Sequence, residues 1–259
     1  MAETAHNVVL IGSGNVATTL GRALLKSGKN ILQVWSRSEA NAQKLAAQLN
    51  AEVLADLSLI NSEADLILIA VKDDVINSTA ALLPQSNSTV VHTSGTRPLS
   101  DLAGIKNIGV FYPLQTFTPQ SSPDFSQIPI CVEGNSPLVL NQLEEICKDL
   151  GAKSYPLDSV QRGALHIAAV FANNFTNHIW GISRELLEKA NIPSEILHPL
   201  MEETLRKALQ QNPFEVQTGP AVRFDEETIN RHLEFLKNDQ HLHDIYKLIT
   251  HNIQLKKKA

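Results

Sequence analysis

The sequence predicts an α/β fold in which a doubly wound, mostly parallel sheet is followed by an all-helical C-terminal domain. Three observations carry this. From residue 7 to about 157, short apolar runs alternate with segments of helical period, the pattern of a parallel sheet covered by helices on both faces. The first apolar run passes through a glycine-rich turn straight into a helix. Beyond Pro156, Gly and β-branched runs give way to long helical periods. The division falls at 157/158, with a sheet domain over 1–157 and a helical domain over 158–259.

Taken in order, the expected strands are Asn7 to Ile11, Ile31 to Trp35, Glu52 to Leu54, Asp65 to Ala70, Thr89 to His92, Asn107 to Phe111, Pro129 to Val132 and Lys153 to Tyr155. Helices are expected between them at Asn15 to Ser27, Glu39 to Leu49, Asp73 to Leu83 and Pro137 to Leu150. The helical part divides into Ser159 to Ala190, Ser194 to Gln210, Asp225 to Lys237 and Gln240 to Leu255, with Asp225 placed to cap the third of these. Pro119 to Pro129 is the longest irregular stretch.

Composition narrows the function. Of the 259 residues 43% are hydrophobic, which rules out a disordered or collagen-like chain. Leu66 to Val71 is the longest strictly apolar run, far below the roughly 20 residues of a membrane span. Net charge is −5, so the electrostatic footprint of a nucleic-acid binder is missing, and Lys256-Lys257-Lys258 reads as a solvated tail. Cys131 and Cys147 are too few for a zinc cluster and read as reduced structural thiols; no metal site is expected. Met1 to Asn7 carries an acid instead of a basic leader segment, and the chain is read as cytoplasmic.

The first turn reads Ile11-Gly12-Ser13-Gly14-Asn15-Val16-Ala17. A bare G-x-G-x-x-A is weak, but the preceding strand and following helix are the context that gives it meaning. Gly12 would make the tight turn, Gly14 would admit a pyrophosphate to the backbone, and the amides at Asn15 and Val16 would meet its charge at a helix N-terminus. A second-strand acid would hold the ribose of NAD; here the strand ends Trp35-Ser36-Arg37-Ser38. One guanidinium and two hydroxyls suit a 2′-phosphate, which favours NADP. The alternative is an Arg37 pointing to solvent.

Ligands of open α/β sheets sit beyond the carboxyl ends of the strands, so polar residues there carry weight. Val71 and Lys72 could border the cofactor, with Asp73 capping the next helix. His92-Thr93-Ser94-Gly95 offers an imidazole and two hydroxyls to the carboxamide or to a polar substrate. Tyr112 and Gln115 follow the sixth strand as polar candidates, with structural turn chemistry an equal reading.

Gly163 to Ser183 holds no Asp, Glu, Lys or Arg, which in a helix implies burial on nearly every side. At about 100° per residue His166, Asn173 and Asn177 fall within roughly 20° of one line, with Asn174 and His178 on its flank. Such a stripe faces a ligand or cleft, or else forms a core network or subunit interface. Arg223, in the turn-like Thr218 to Asp225, is either an anion anchor for substrate or a surface charge.

These motifs together resemble a little-characterised bacterial family that carries the label of NADP oxidoreductases and pairs a Rossmann-like domain with a helical domain of the 6-phosphogluconate dehydrogenase type. The likeness extends more distantly to pyrroline-5-carboxylate reductase, prephenate dehydrogenase and deazaflavin-dependent NADP reductases. It implies hydride transfer between NADP(H) and a small imine, keto or hydroxy compound, and a dimer formed through the helical domain. His166 is then the candidate acid or base, with Asn174, Ser94 and Tyr112 as further catalytic candidates and Asn173, Gln115 and Arg223 as substrate contacts. Two departures stand out: related hydroxyacid dehydrogenases place a lysine where this chain has Val170, and related chains often have His-Pro where this one has Tyr112-Pro113. The alternative function is an NADP-binding sensor or assembly protein without catalysis.

Overall fold

The computed structural model describes residues 6–118, 120 and 122–258; the N-terminal segment read for a targeting signal lies almost wholly outside them, as does Pro119. Eight strands form one sheet: β1 (Asn7–Ile11), β2 (Asn30–Trp35), β3 (Glu52–Val53), β4 (Leu66–Ile69), β5 (Thr89–His92), β6 (Asn107–Pro113), β7 (Ile130–Gly134) and β8 (Ser154–Pro156). Their order is β3-β2-β1-β4-β5-β6-β7-β8. Every pairing is parallel except β6 with β7. The first six strands thus follow the doubly wound order 3-2-1-4-5-6, in which the sheet changes winding direction between β1 and β4. β7 can reverse because the described residues between β6 and β7 supply only a 3-10 turn, at Phe125–Gln127, and an antiparallel neighbour needs no crossover helix.

Burial on both faces explains the unbroken apolar strands. Val8 and Leu10 pack with α1 (Asn15–Lys26), α2 (Glu39–Leu49) and α4 (Pro137–Asp149). Val9 and Ile11 point to the opposite face, where Ile67, Ile69 and Ile76 of α3 (Ile76–Ala80) wait. Alternate residues along one strand feed separate layers, so β1 beyond Asn7 and all of β4 are apolar on both faces. Both cysteines are buried and free; burial pushes the Cys147 thiol up to about 12.

α5 (Ser159–Ala169) opens with a capping box, Asp158 accepting from the Gln161 backbone and the Gln161 side chain accepting from that of Asp158. A π-helical turn, Val170–Phe175, separates it from α6 (Thr176–Lys189). Chain contacts define two compact units, Met1–Asn177 and His178–Ala259, so α5 and the π turn fall in the first. The second unit contains most of α6, then α7 (His198–Gln210), α8 (Glu226–Phe235) and α9 (Gln240–Lys258). Asp225 caps α8 as the sequence suggests, accepting from the Thr228 backbone. Within this unit His232 Nδ1 lies 2.7 Å from the Tyr246 hydroxyl, and Tyr246 borders an apolar cavity of about 250 Å³. No helix among the described residues is long and apolar enough to cross a membrane.

The uncharged segment Gly163 to Ser183 departs from expectation. None of its residues is buried in the single chain, and Ile167, Phe171 and Phe175 are largely exposed. Lack of charge there reflects apolar surface left uncovered by this chain, not a core helix.

Candidate active site

A cavity of about 780 Å³ lies at the carboxyl ends of the parallel strands, within the roughly 300–1,000 Å³ of small-molecule and cofactor sites. Its floor is the turn after β1. Gly12 has φ +122°, a conformation that side chains avoid, and a Cβ there would run into the Ala70 carbonyl. Gly14 faces open space and is the N-cap of α1 without any side-chain cap, so the first amides of the helix, at Asn15 and Val16, are left for an anion. Ser13, Gly14, Asn15 and Val16 all line the cavity, as do Ser36, Arg37, Ser38, Val71, Lys72 and Gln115. Ser13 Oγ meets Ser36 Oγ at 2.7 Å and so joins the two cofactor-facing turns. Asn15 Nδ2 donates to the Phe117 carbonyl at 3.0 Å, drawing the loop after β6 over the cavity. Ser38 is the N-cap of α2, accepting from Asn41, while Arg37 is exposed and makes no ion pair among the described residues. The turn, the bare helix end and the volume fit a dinucleotide. Thr93, one of the two hydroxyls offered after β5, borders the cavity too. So do Asn41, Phe117, Asp74, Val75, Ser78 and Thr79, which the sequence did not single out because their elements meet only in the folded sheet.

Three readings of the strand ends change. Asp73 does not cap the following helix: Lys72 is the N-cap, and the Asp73 carboxylate accepts from Ser94 Oγ at 2.8 Å and Thr96 Oγ1 at 2.6 Å. Ser94 Oγ also accepts from the backbones of Thr96 and Arg97, so its hydroxyl organises the loop and is fully engaged there. His92, expected against the cofactor, is completely buried and absent from the cavity wall. Its Nδ1 accepts from the Ser94 backbone at 3.2 Å, which puts the proton of the neutral ring on Nε2. Burial first, and the nearby Arg162 guanidinium second, lower its pKa to about 4.

Tyr112 and His166 come together as the sequence could not show. β6 delivers the phenol and α5 the imidazole, and Tyr112 Oη lies 3.1 Å from His166 Nδ1. Gly95 makes the meeting possible: a Cβ there would lie 2.5 Å from His166 Nδ1 and 2.9 Å from Tyr112 Cζ. Half-burial raises the Tyr112 pKa, with Cys131 adding to the rise and Arg162 opposing it. The phenol therefore stays protonated at neutral pH and can donate to a developing negative charge, with the imidazole as its partner.

Arg162, one turn before His166, is the only buried residue among the described residues of α5. Its guanidinium pairs with Glu133 on β7, donates to the Arg97 carbonyl at 2.6 Å and reaches Ser159 Oγ at 3.3 Å. Asn173 and Asn174 do not join this group. Both are exposed on the π turn, whose wider coil breaks the 100° spacing that put Asn173 in line with His166 and Asn177 and Asn174 on the flank. Arg223 is exposed in the second unit and has no ion-pair partner among the described residues.

The buried imidazole makes acid sensitivity an expected property. A histidine whose pKa falls from 6.5 to about 4 on folding contributes stability that is full above about pH 6.5 and disappears as pH drops toward 4. The contribution is on the order of 2–4 kcal/mol. Melting temperatures recorded from pH 7.5 to 4.5 should fall in that window, and His92→Asn should flatten the slope; equal slopes would exclude His92 as the source.

Known proteins place this architecture. Residues 7–94 match the family described as NADP oxidoreductase coenzyme F420-dependent, and residues 128–253 match a domain of unknown function, DUF2520. A solved structure described as a "putative NADP oxidoreductase" from Bacteroides fragilis is 39% identical over 98% of this chain and 99% of its own, with a TM-score of 0.87. An imine reductase from Myxococcus stipitatus in complex with NADP+ shares the fold at 16% identity, 97% and 94% coverage and a TM-score of 0.67. So does 1-pyrroline-5-carboxylate reductase from Streptococcus pyogenes at 13% identity, 96% and 98% coverage and 0.62. Among curated sequences, glutamyl-tRNA reductase of Acaryochloris marina is 36% identical over 69 residues, and the chain spans only 16% of its length. The chain belongs to the family of the Bacteroides fragilis protein, built from an NADP-oxidoreductase region at the N-terminus and a DUF2520 region at the C-terminus.

Proposed function

We propose that the protein is an NADP(H)-dependent oxidoreductase that reduces the C=N or C=O bond of a small compound. The observation that carries this reading is the cavity at the strand ends, with a bare helix N-terminus at its floor and Ser36-Arg37-Ser38 in place of an acid at its ribose end. Bound NADPH would supply the hydride. Gly12 to Val16 would hold its pyrophosphate, Ser36, Arg37 and Ser38 its 2′-phosphate, and Val71 and Lys72 its inner edge. Tyr112 would give a proton to the substrate nitrogen or oxygen, and His166 would orient the phenol and replenish its proton. Gln115 lines the cavity and is suited to hydrogen-bond the substrate. The names of the imine and pyrroline-5-carboxylate reductases make cyclic and acyclic imines the first substrates to try.

The working form in this reading is a homodimer covering the helical unit. Leu200, Leu205 and Leu209 of α7 and Leu248 and Ile249 of α9 are exposed in the single chain, large apolar side chains open to water. A second copy of the same surface is the simplest cover.

Three measurements test the proposal. NADPH should bind more tightly than NADH by about 1–3 kcal/mol, the scale of charge-assisted bonds to a phosphate, and Arg37→Ala should remove that preference selectively; calorimetric titration with equal affinities would refute the NADP assignment. Against a panel of imines and oxo acids, Tyr112→Phe and His166→Ala should each lower turnover about 100-fold with NADPH affinity unchanged. Light scattering at micromolar concentration should give twice the chain mass, and a monomer would contradict the dimer.

A further inference from the structure

Arg162 is a charged side chain, 1% exposed, on a helix whose other residues all reach solvent. An ion pair buried for stability alone would be a poor device, since well-packed apolar residues usually serve as well. What distinguishes this one is where its bonds lead. Glu133 lies on β7 opposite Val110 of β6, two residues from Tyr112 on the same strand. The Arg97 carbonyl closes the loop whose Gly95 packs against both His166 and Tyr112. Ser159, on Arg162's own helix, donates to Glu133 and accepts from the Leu99 backbone, completing the same clamp.

We infer that Arg162 is a positioning residue: by gripping β7 through Glu133 and the strand-end loop through the Arg97 carbonyl, it fixes where His166 meets Tyr112. One helical turn separates Arg162 from His166, so a slip of α5 along the sheet that loosened the first contact would also pull apart the second. Lysine cannot substitute, because a single ammonium cannot span the carbonyl and the carboxylate in the fixed fork that a guanidinium presents. The inference rests on the proposed role of the Tyr112–His166 pair for its importance to catalysis, but its structural content is measurable without any substrate.

The test uses the full-length protein with isotope-labelled histidine, reading the His166 ring nitrogens by NMR, and with the Tyr112 phenol followed by its ultraviolet titration. Tyr112→Phe assigns both signals. The groups facing the phenol are Cys131 on β7, Asp73 before α3, and His166 and Arg162 on α5. In Arg162→Met the Tyr112-dependent His166 signal should be lost and the phenol should titrate at higher pH, because the guanidinium that favours the phenolate is gone. Arg162→Lys should restore the phenol titration, which depends on charge, without restoring the His166 signal, which depends on the fork. If Arg162→Met does not fold, Glu133→Gln carries the test, with a smaller change of the His166 signal in the same direction. A folded Arg162→Met or Glu133→Gln protein with the wild-type His166 signal would overturn the inference. Should Tyr112→Phe keep full turnover while Arg162→Met still disturbs His166, the proposed proton donor fails and the positioning role stands.

Discussion

Parallel pairing of β1 with β2 on one side and β4 on the other is the constraint from which the rest of the first unit follows. It sends connections to opposite faces of the sheet and leaves a crevice where they part, above the carboxyl ends of both neighbours. Gly12 must then turn within van der Waals reach of the Ala70 carbonyl, because β4 ends beside it. The position of the cavity, the exposed amides of α1 and the approach of Ser36 to Ser13 are all consequences of that one junction. Reversal of β7 adds a second consequence. It places Glu133 partway down the sheet, so α5 meets Glu133 with Ser159 and Arg162 before reaching Tyr112 with His166.

Electrostatics divides this region into a dry interior and a polar rim. His92, sealed beneath the strand ends, is kept neutral by burial and by a cation that it cannot escape. Tyr112 stands at the boundary, half-buried and within the field of the same cation, where a phenol remains a proton donor without being locked away. Asp73, Ser94 and Thr96 form a short chain of hydrogen bonds between the two groups of residues and hold the intervening loop in one shape. Each group thus has its protonation set by neighbours from other elements, the usual arrangement where proton chemistry is carried out.

The sequence was most informative where the physics is local. Apolar runs gave all eight strands, with ends shifted by no more than two residues; Gly12-x-Gly14 disclosed the turn, and Asp225 disclosed the start of α8. It was least informative where partners are far apart along the chain. Arg162 sits at the very edge of an uncharged run and meets Glu133 and Arg97 only after the sheet has formed, so nothing in its neighbourhood marks it. Asp73 looked like a cap because it precedes a helix, yet a serine and a threonine more than twenty residues on claim its carboxylate. The spacing of the asparagine stripe was misjudged for another reason: periodicity assumes one helical pitch, and the π turn changes it midway. Apolar residues of the helical unit were legible as apolar, but one chain alone does not say what covers them.

Arg162 treats its two distant partners differently. At position 133 it requires a side chain, and that chain must be an acid to match its charge. At position 97 it holds a main-chain oxygen, while the side chain of Arg97 turns away to pair with Asp101. Evolution is therefore free to replace residue 97 with almost any amino acid without touching the clamp, whereas residue 133 is bound to residue 162 and the two can change only together. Drift in this family should run through the loop and leave its anchor behind, a record of function written in the backbone and not in the residue letters.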